Sequence, residues 1–148
     1  MKITSTTFLQ GEPIPTTYTC DGENINPPLH FSDVPNEAVT LALIVDDPDA
    51  PGNTWVHWVV WNIAPDTRAI GEGEAPGRCT EGTTSFGRLG YGGPCPHSGT
   101  HRYFFKLYAL DTELALPAGH TKEDIEAAMA GHVIEQAELM GTYARPKD

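Results

Sequence analysis

The apolar run at residues 41–45 (LALIV), followed at once by 46–51 (DDPDAP), constrains the fold more than any other part of the sequence. A short apolar run without alternation is typical of a strand that is covered on both faces. Pro48 and Pro51 fix φ and lack an N–H, so the chain must turn directly after the run. We therefore expect a central strand that ends in a tight turn.

Two further stretches are typical of strands: 56–63 (VHWVVWNI) and 102–110 (RYFFKLYAL). Both are rich in β-branched and aromatic residues and are bounded by turn-forming residues. Because side chains alternate along a strand, His57, Val59 and Trp61 should share one face of the first strand. The corresponding row of the second strand is His101, Tyr103, Phe105, Leu107 and Ala109.

One helix is predicted near the end of the sequence. Thr121 followed by Asp124 resembles a capping box, and residues at helical spacing continue to Leu139. We expect a helix over about 121–140, ended by Gly141, and a closing strand at 142–145 (TYAR). Several apolar strands and a single helix predict one mainly β domain, residues 1–148, with two packed sheets, because one helix cannot cover all the strands.

The charge balance limits the kind of partner. The sequence has 9 Lys and Arg against 20 Asp and Glu, a formal net charge of −11. An acidic surface repels nucleic-acid phosphates and anionic lipid headgroups, so nucleic acid is not an expected partner. The first residues lack the apolar stretch of a signal peptide, and no apolar run is long enough to span a bilayer. We expect a cytoplasmic protein without an integral membrane segment.

Two histidines lie at comparable places in the pattern. His57 and His101 each stand near the N-terminal end of an aromatic strand, and the imidazoles converge if both strands start at one rim of the sheet. Glycines between 90 and 99 allow close backbone approach, so that amides can point at an anion. A site for a small anion is therefore predicted. Asp47 and Asp49 tie the turn to backbone amides; the alternative is that one of the two carboxylates holds a histidine tautomer or faces a ligand.

The three cysteines leave other chemistry open. Cys95, His97 and His101 form a cluster that Asp47 or His57 would complete as a tetrahedral zinc site, although the spacing matches no known zinc motif. Cys95 near a histidine is also a candidate nucleophile. An odd number of cysteines argues against a disulfide framework, but one pair remains open.

Three motifs in order resemble the phosphatidylethanolamine-binding protein family, also called Raf kinase inhibitor-like proteins. They are 47–51 (DPDAP), 55–58 (WVHW) and 90–105 (GYGGPCPHSGTHRYFF). Residues 18–31 and 131–145 are similar to the bacterial and archaeal branch of that family. The resemblance implies an antiparallel two-sheet β-sandwich with one main helix and a small anion pocket. It further implies a homodimer and neither a cofactor nor a bound metal.

Matched residue by residue, the resemblance implies ligand contacts from Asp47, His57, Gly92, Gly93, Pro94, His101 and Tyr103. It implies supporting positions in the pocket wall for Asp49, Pro51, Trp55, Cys95, Pro96 and Arg102. A cis peptide bond is expected at a proline of DPDAP, because cis X-Pro bonds cost little. Aromatic residues such as Trp61 or Tyr143 are candidates for a dimer interface.

The expected function is that of a non-enzymatic protein that binds a phosphate, a phosphate ester or a carboxylate and modulates kinases or proteases. An alternative is a serine-protease or kinase inhibitor that acts through a surface loop within 64–88, independently of the pocket. The third hypothesis is a metal-dependent hydrolase that uses Cys95 or zinc.

Overall fold

The computed structural model describes residues 1–146, and within them eight strands form two antiparallel sheets. In chain order the strands are β1 (Lys2–Thr4), β2 (Leu29–Ser32), β3 (Thr40–Asp47), β4 (Trp55–Ile63), β5 (Ala69–Ile70), β6 (Thr80–Glu81), β7 (His101–Leu110) and β8 (Val133–Tyr143). One α-helix, α1 (Lys122–Met129), and a short 3₁₀ helix (Thr16–Tyr18) complete this part of the chain. Neither has the length and apolar character needed to cross a membrane.

The large sheet has the order β6-β4-β3-β7-β8, and the small sheet has the order β1-β2-β5. All residues of β3 are buried, which confirms the prediction of a central strand. β3 runs antiparallel to both β4 and β7. The end of β3 therefore meets the beginnings of β4 and β7 at one edge of the sheet.

Both faces of the large sheet are covered, which explains the continuous apolar run in β3. One face packs against the small sheet in a core that includes Phe31, Leu43 and Phe105. On the other face, Ile125 and Met129 of α1 pack within a second apolar cluster. The prediction of a mainly β, two-sheet fold with a helix is confirmed, and the helix forms a third layer.

The helix is much shorter than the periodicity predicts. Its predicted start is confirmed, since the Thr121 side chain accepts a hydrogen bond from the Asp124 N–H and the Asp124 carboxylate accepts one from the Thr121 N–H. The helix ends at Met129, and the predicted continuation to about 140 is wrong. Gly131, at φ +82°, takes the left-handed conformation that ends helices.

Residues Val133–Tyr143 form β8 instead, paired with β7 along its whole length, from His101↔Tyr143 to Leu110↔Val133. Without β8, the edge of β7 would leave a row of backbone N–H and C=O groups without partners. The hydrogen bonds that β8 makes to these groups stabilise the strand more than the helical spacing of its apolar residues would stabilise a helix. The closing strand expected at 142–145 is thus only the end of a longer one.

The aromatic residues considered for a dimer interface lie inside the single chain. Trp61 is 0% exposed and Tyr143 is 5% exposed. The Tyr143 hydroxyl also donates a hydrogen bond to Asp21. Neither side chain is available to a partner, so that prediction is wrong for these two residues. The homodimer itself stays a prediction.

Candidate functional site

A cavity of about 340 Å³ opens at the edge where β3 ends and β4 and β7 begin. The topology brings His57 and His101 into its wall, as expected if both strands start at one rim. The lining residues are Asp47, Ala50, Pro51, Trp55, His57, Phe86, Cys95, Pro96, His97, His101 and Tyr103.

A β-bulge in β4 determines where the His57 side chain lies. Val45 pairs with Trp58, but the next residue of β3, Asp46, pairs with Val56. His57 is therefore the additional residue of the bulge. Bulges are frequent next to functional sites because they redirect one side chain without interrupting the sheet.

The bulge separates His57 from the residues that alternation places beside it. Val59 and Trp61 lie in the cluster under α1, whereas His57 packs edge-on against Tyr103, with 5.2 Å between ring centroids. Tyr103 belongs to the core on the opposite face of the sheet. The prediction that His57 shares a face with Val59 and Trp61 is wrong for this reason.

Asp47 holds the orientation of His101. The distance from His101 Nδ1 to Asp47 Oδ2 is 2.6 Å, and Asp47 Oδ1 accepts the Asp49 N–H at 2.7 Å. Because a carboxylate can only accept, the proton of the His101–Asp47 hydrogen bond is on Nδ1. Nε2 is the ring nitrogen that takes no part in this hydrogen bond. Asp47 lines the cavity, but both its oxygens already have donors, so it positions His101. Two of the roles weighed from the sequence, turn closure and tautomer control, are filled by Asp47.

Asp49 joins the turn to β7. Its carboxylate accepts hydrogen bonds from the Arg102 backbone N–H and from the Arg102 guanidinium, each at 2.9 Å. The Arg102 side chain lowers the pKa of Asp49 to about 2. No peptide bond among the described residues is cis, so the prediction of a cis proline bond in DPDAP is wrong. The two aspartates hold the turn with trans peptide bonds.

Tyr103 carries a polar group without a protein partner. Its side chain lines the cavity and is 1% exposed, and its hydroxyl is buried without a hydrogen bond. Burial raises the pKa of Tyr103, so the hydroxyl keeps its proton. An unpaired buried hydroxyl costs about 1–3 kcal/mol. A ligand atom that accepts this proton would recover that cost.

The glycine-rich segment before β7 supports the site in a way that the sequence did not predict. The Gly92 N–H donates to His57 O at 2.9 Å, and the Gly93 N–H donates to Asn24 Oδ1 at 2.7 Å. Pro94 has no N–H, and its carbonyl accepts a backbone hydrogen bond. The amides of Gly92 and Gly93 are therefore taken, and the prediction that they point at an anion is wrong.

Cys20 and Cys95 form a disulfide; the sequence leaves one pair open without indicating which two of the three cysteines form it. Cys95 lines the cavity, but its sulfur is bonded to Cys20. Because a disulfide sulfur is not a thiolate, Cys95 is excluded as a nucleophile and as a ligand of the zinc cluster considered from the sequence. Cys79 is the free cysteine of the described chain and lies outside the cavity. Disulfides are rare in the cytosol of mesophiles. The expected cytoplasmic location stays a prediction, and this bond is a reason to test it.

Three lining residues lie outside the predicted site: Ala50, Phe86 and His97. Ala50 stands within DPDAP, and the sequence leaves His97 open as either a residue of the pocket rim or a metal ligand; its place in the lining agrees with the former. Phe86 lies edge-on to His57 at 5.4 Å and to Trp55 at 5.5 Å between ring centroids. A single aromatic in a loop of Gly, Thr and Ser was its only signal in the sequence. Pro51, Trp55 and Pro96 line the cavity as predicted.

The family model for phosphatidylethanolamine-binding proteins matches residues 4–144. A UPF0098 protein from Methanothermobacter thermautotrophicus is 56% identical over 137 residues, covering 89% of this chain and 91% of its own. The crystal structure of a homologue from Chlamydia trachomatis has a TM-score of 0.94 and 46% identity, covering 98% of this chain and 97% of its own. Escherichia coli YbcL, described as a new member of the mammalian family, has a TM-score of 0.91 and 30% identity, covering 98% of both chains. The chain therefore belongs to the phosphatidylethanolamine-binding protein family, in its bacterial and archaeal branch.

Proposed function

We propose that the protein binds a small phosphate, phosphate ester or carboxylate group in this cavity and acts by binding, without catalysis. The observation that carries the proposal is the unpartnered Tyr103 hydroxyl beside two imidazoles. Tyr103 donates a hydrogen bond, and His101 Nε2 does so when the ring carries its second proton. A hydrogen bond to a charged group contributes about 1.5–3 kcal/mol, so two such donors give a weak to moderate affinity.

The composition of the wall supports binding over hydrolysis. The Cys95 thiol is consumed in the disulfide, and the lining residues of the described chain include no Ser or Thr hydroxyl. Acid–base groups are thus present without a Ser, Thr or free Cys nucleophile beside them. The rim carries exposed aromatic surface, because Trp55 is 40% and Phe86 37% exposed. A kinase or protease that docks on this rim would respond to whether the cavity is filled.

Isothermal titration calorimetry with inorganic phosphate tests the binding step. Tyr103→Phe removes only the hydroxyl and should weaken binding by about tenfold, the equivalent of 1.4 kcal/mol. Tyr108→Phe is the matched control, because Tyr108 packs against the cluster under α1 and does not line the cavity. If the wild type shows no binding up to about 10 mM, ten times a weak Kd of about 1 mM, the proposal is wrong.

A second candidate function is inhibition of a serine protease or kinase through a surface loop within 64–88, independently of the cavity. At the end of this range the exposed Arg88 guanidinium lies 5.6 Å from the centroid of the Phe86 ring, and Arg88 itself does not line the cavity. Arg side chains are enriched at binding hot spots. Capture of a protease or kinase in saturating phosphate separates the two functions. Retained capture supports the loop, and lost capture supports the cavity.

A further inference from the structure

The hydrogen bond of His57 fixes which of its ring nitrogens carries the proton. His57 Nδ1 lies 2.6 Å from Gly92 O, and a carbonyl oxygen can only accept. The Gly92 N–H donates back to His57 O at 2.9 Å, so the two residues are joined by two hydrogen bonds. Nδ1 is therefore the protonated nitrogen. In the neutral ring, Nε2 is an acceptor, and no protein group among residues 1–146 donates to it.

The surroundings of His57 favour that neutral ring. The residue is 3% exposed, and the aromatic rings of Phe86 and Tyr103 lie edge-on to it. Burial lowers the pKa of His57 because the charged ring would lose its hydration. The hydrogen bond to the Gly92 carbonyl and, with smaller effects, the carboxylates of Asp47 and Asp46 raise the pKa, but burial has the largest effect. The cavity wall thus contains a fixed acceptor beside the Tyr103 donor.

The charges of the wall favour a singly charged ligand. No Lys or Arg is among the lining residues of the described chain, and the nearby Arg102 is paired with Asp49. A phosphate dianion would meet no permanent cation here and would face the acceptor His57 Nε2 with unprotonated oxygens. A monoanion that keeps one P–OH would donate to Nε2 and accept from Tyr103.

We propose that His57 determines the specificity of the cavity and selects phosphate monoesters that carry one P–OH over phosphodiesters of the same charge. The inference rests on the proposed function. A phosphodiester has no proton to donate, so it would cover the His57 Nε2 acceptor and leave it without a hydrogen bond. The preferred ligands are therefore phosphate monoesters, and not phospholipids whose only phosphate is a diester.

Calorimetry with methyl phosphate and dimethyl phosphate at pH 5.5 tests the inference, because below the second phosphate pKa of about 6 both ligands are chiefly monoanions. The wild type should bind methyl phosphate at least about fivefold more tightly, the lower end expected for an unpaired buried acceptor. Equal affinities would overturn the inference and leave the proposed function standing. If neither ligand binds, both the inference and the proposed function are wrong.

His57→Asn separates the hydrogen bond from the size of the extra methyl group. The Asn amide nitrogen replaces Nδ1 as the donor to Gly92 O, while the acceptor at Nε2 is removed. In this variant the affinities for methyl phosphate and dimethyl phosphate should differ by no more than about twofold, which is less than the loss of one hydrogen bond would cause. A preference that persists in this variant would show steric exclusion and overturn the assignment to His57.

A spectroscopic measurement on the wild type does not depend on the variant. Two-bond proton–nitrogen correlations of the His57 ring report which nitrogen is protonated. Between pH 5.5 and 7 they should show protonated Nδ1 and unprotonated Nε2. A doubly protonated ring, or a proton on Nε2 alone, would overturn the inference.

Discussion

Removal of the Cys20–Cys95 disulfide should cost a large part of the stability of the fold. The bond joins residues 75 apart in the sequence. Closing a loop of that length removes about 15 cal/mol/K of entropy from the unfolded chain, or about 4.5 kcal/mol at 25 °C. Domains of this size are stable by about 5–15 kcal/mol, so the loss is a substantial fraction. Urea unfolding of the oxidised and the dithiothreitol-reduced protein, each fitted with its own slope, measures the difference.

Two variants control this experiment. Cys20→Ser/Cys95→Ser should reproduce the lower stability without reductant. Cys79→Ser should leave the gap between oxidised and reduced protein unchanged, because Cys79 takes no part in the bond. A gap below about 1 kcal/mol, under the roughly 2 kcal/mol at the low end for native disulfides, would refute the reasoning from loop entropy.

Two further predictions concern the support of the site. Asp49→Asn should lower the free energy of unfolding by about 1 kcal/mol at pH 7, after allowance for solvent screening, because the variant loses the carboxylate that Arg102 contacts. The pKa of Asp49 is lowered from 3.8 to about 2, so the ionised carboxylate stabilises the folded wild type fully above pH 3.8 and this stabilisation is lost as the pH falls toward 2. Thermal melts should show this pH dependence in the wild type and not in Asp49→Asn. Gly93→Ala should cost about 2 kcal/mol or more in urea unfolding, since its Cβ would lie 2.3 Å from Tyr18 O. Gly77→Ala, where a Cβ meets no atom within 4 Å, is the control, and equal losses would contradict the packing argument.

The sequence predicts the features whose signals are local. The unbroken apolar run places β3 between two neighbours, and Thr121 with Asp124 marks the start of α1. The sequence makes the shared rim of His57 and His101 conditional on how their strands pair. The structure meets that condition, because β4 and β7 both pair antiparallel with β3. The ordered motifs extend this reading to the family.

Other features depend on partners far away in the sequence. The helical spacing after Ile125 competes with pairing to β7, which periodicity within the segment cannot reveal. The bulge at His57 is an additional residue that strict alternation cannot register.

The role of the glycine segment is equally non-local. The Gly93 amide is taken by Asn24, which lies 69 residues earlier in the chain. The number of cysteines likewise cannot say which two of them meet. Close backbone approach is a local property of glycine, but the group that it approaches is set by the fold.

The most direct test of the proposed anion site is a crystal structure of the protein with methyl phosphate at a concentration that saturates binding in solution. The phosphate should lie in the cavity, with oxygens about 2.5–3.2 Å from Tyr103 Oη and His101 Nε2 and its P–OH directed at His57 Nε2. A methyl phosphate bound only outside the cavity, with the Tyr103 hydroxyl still unpaired, would contradict the central claim.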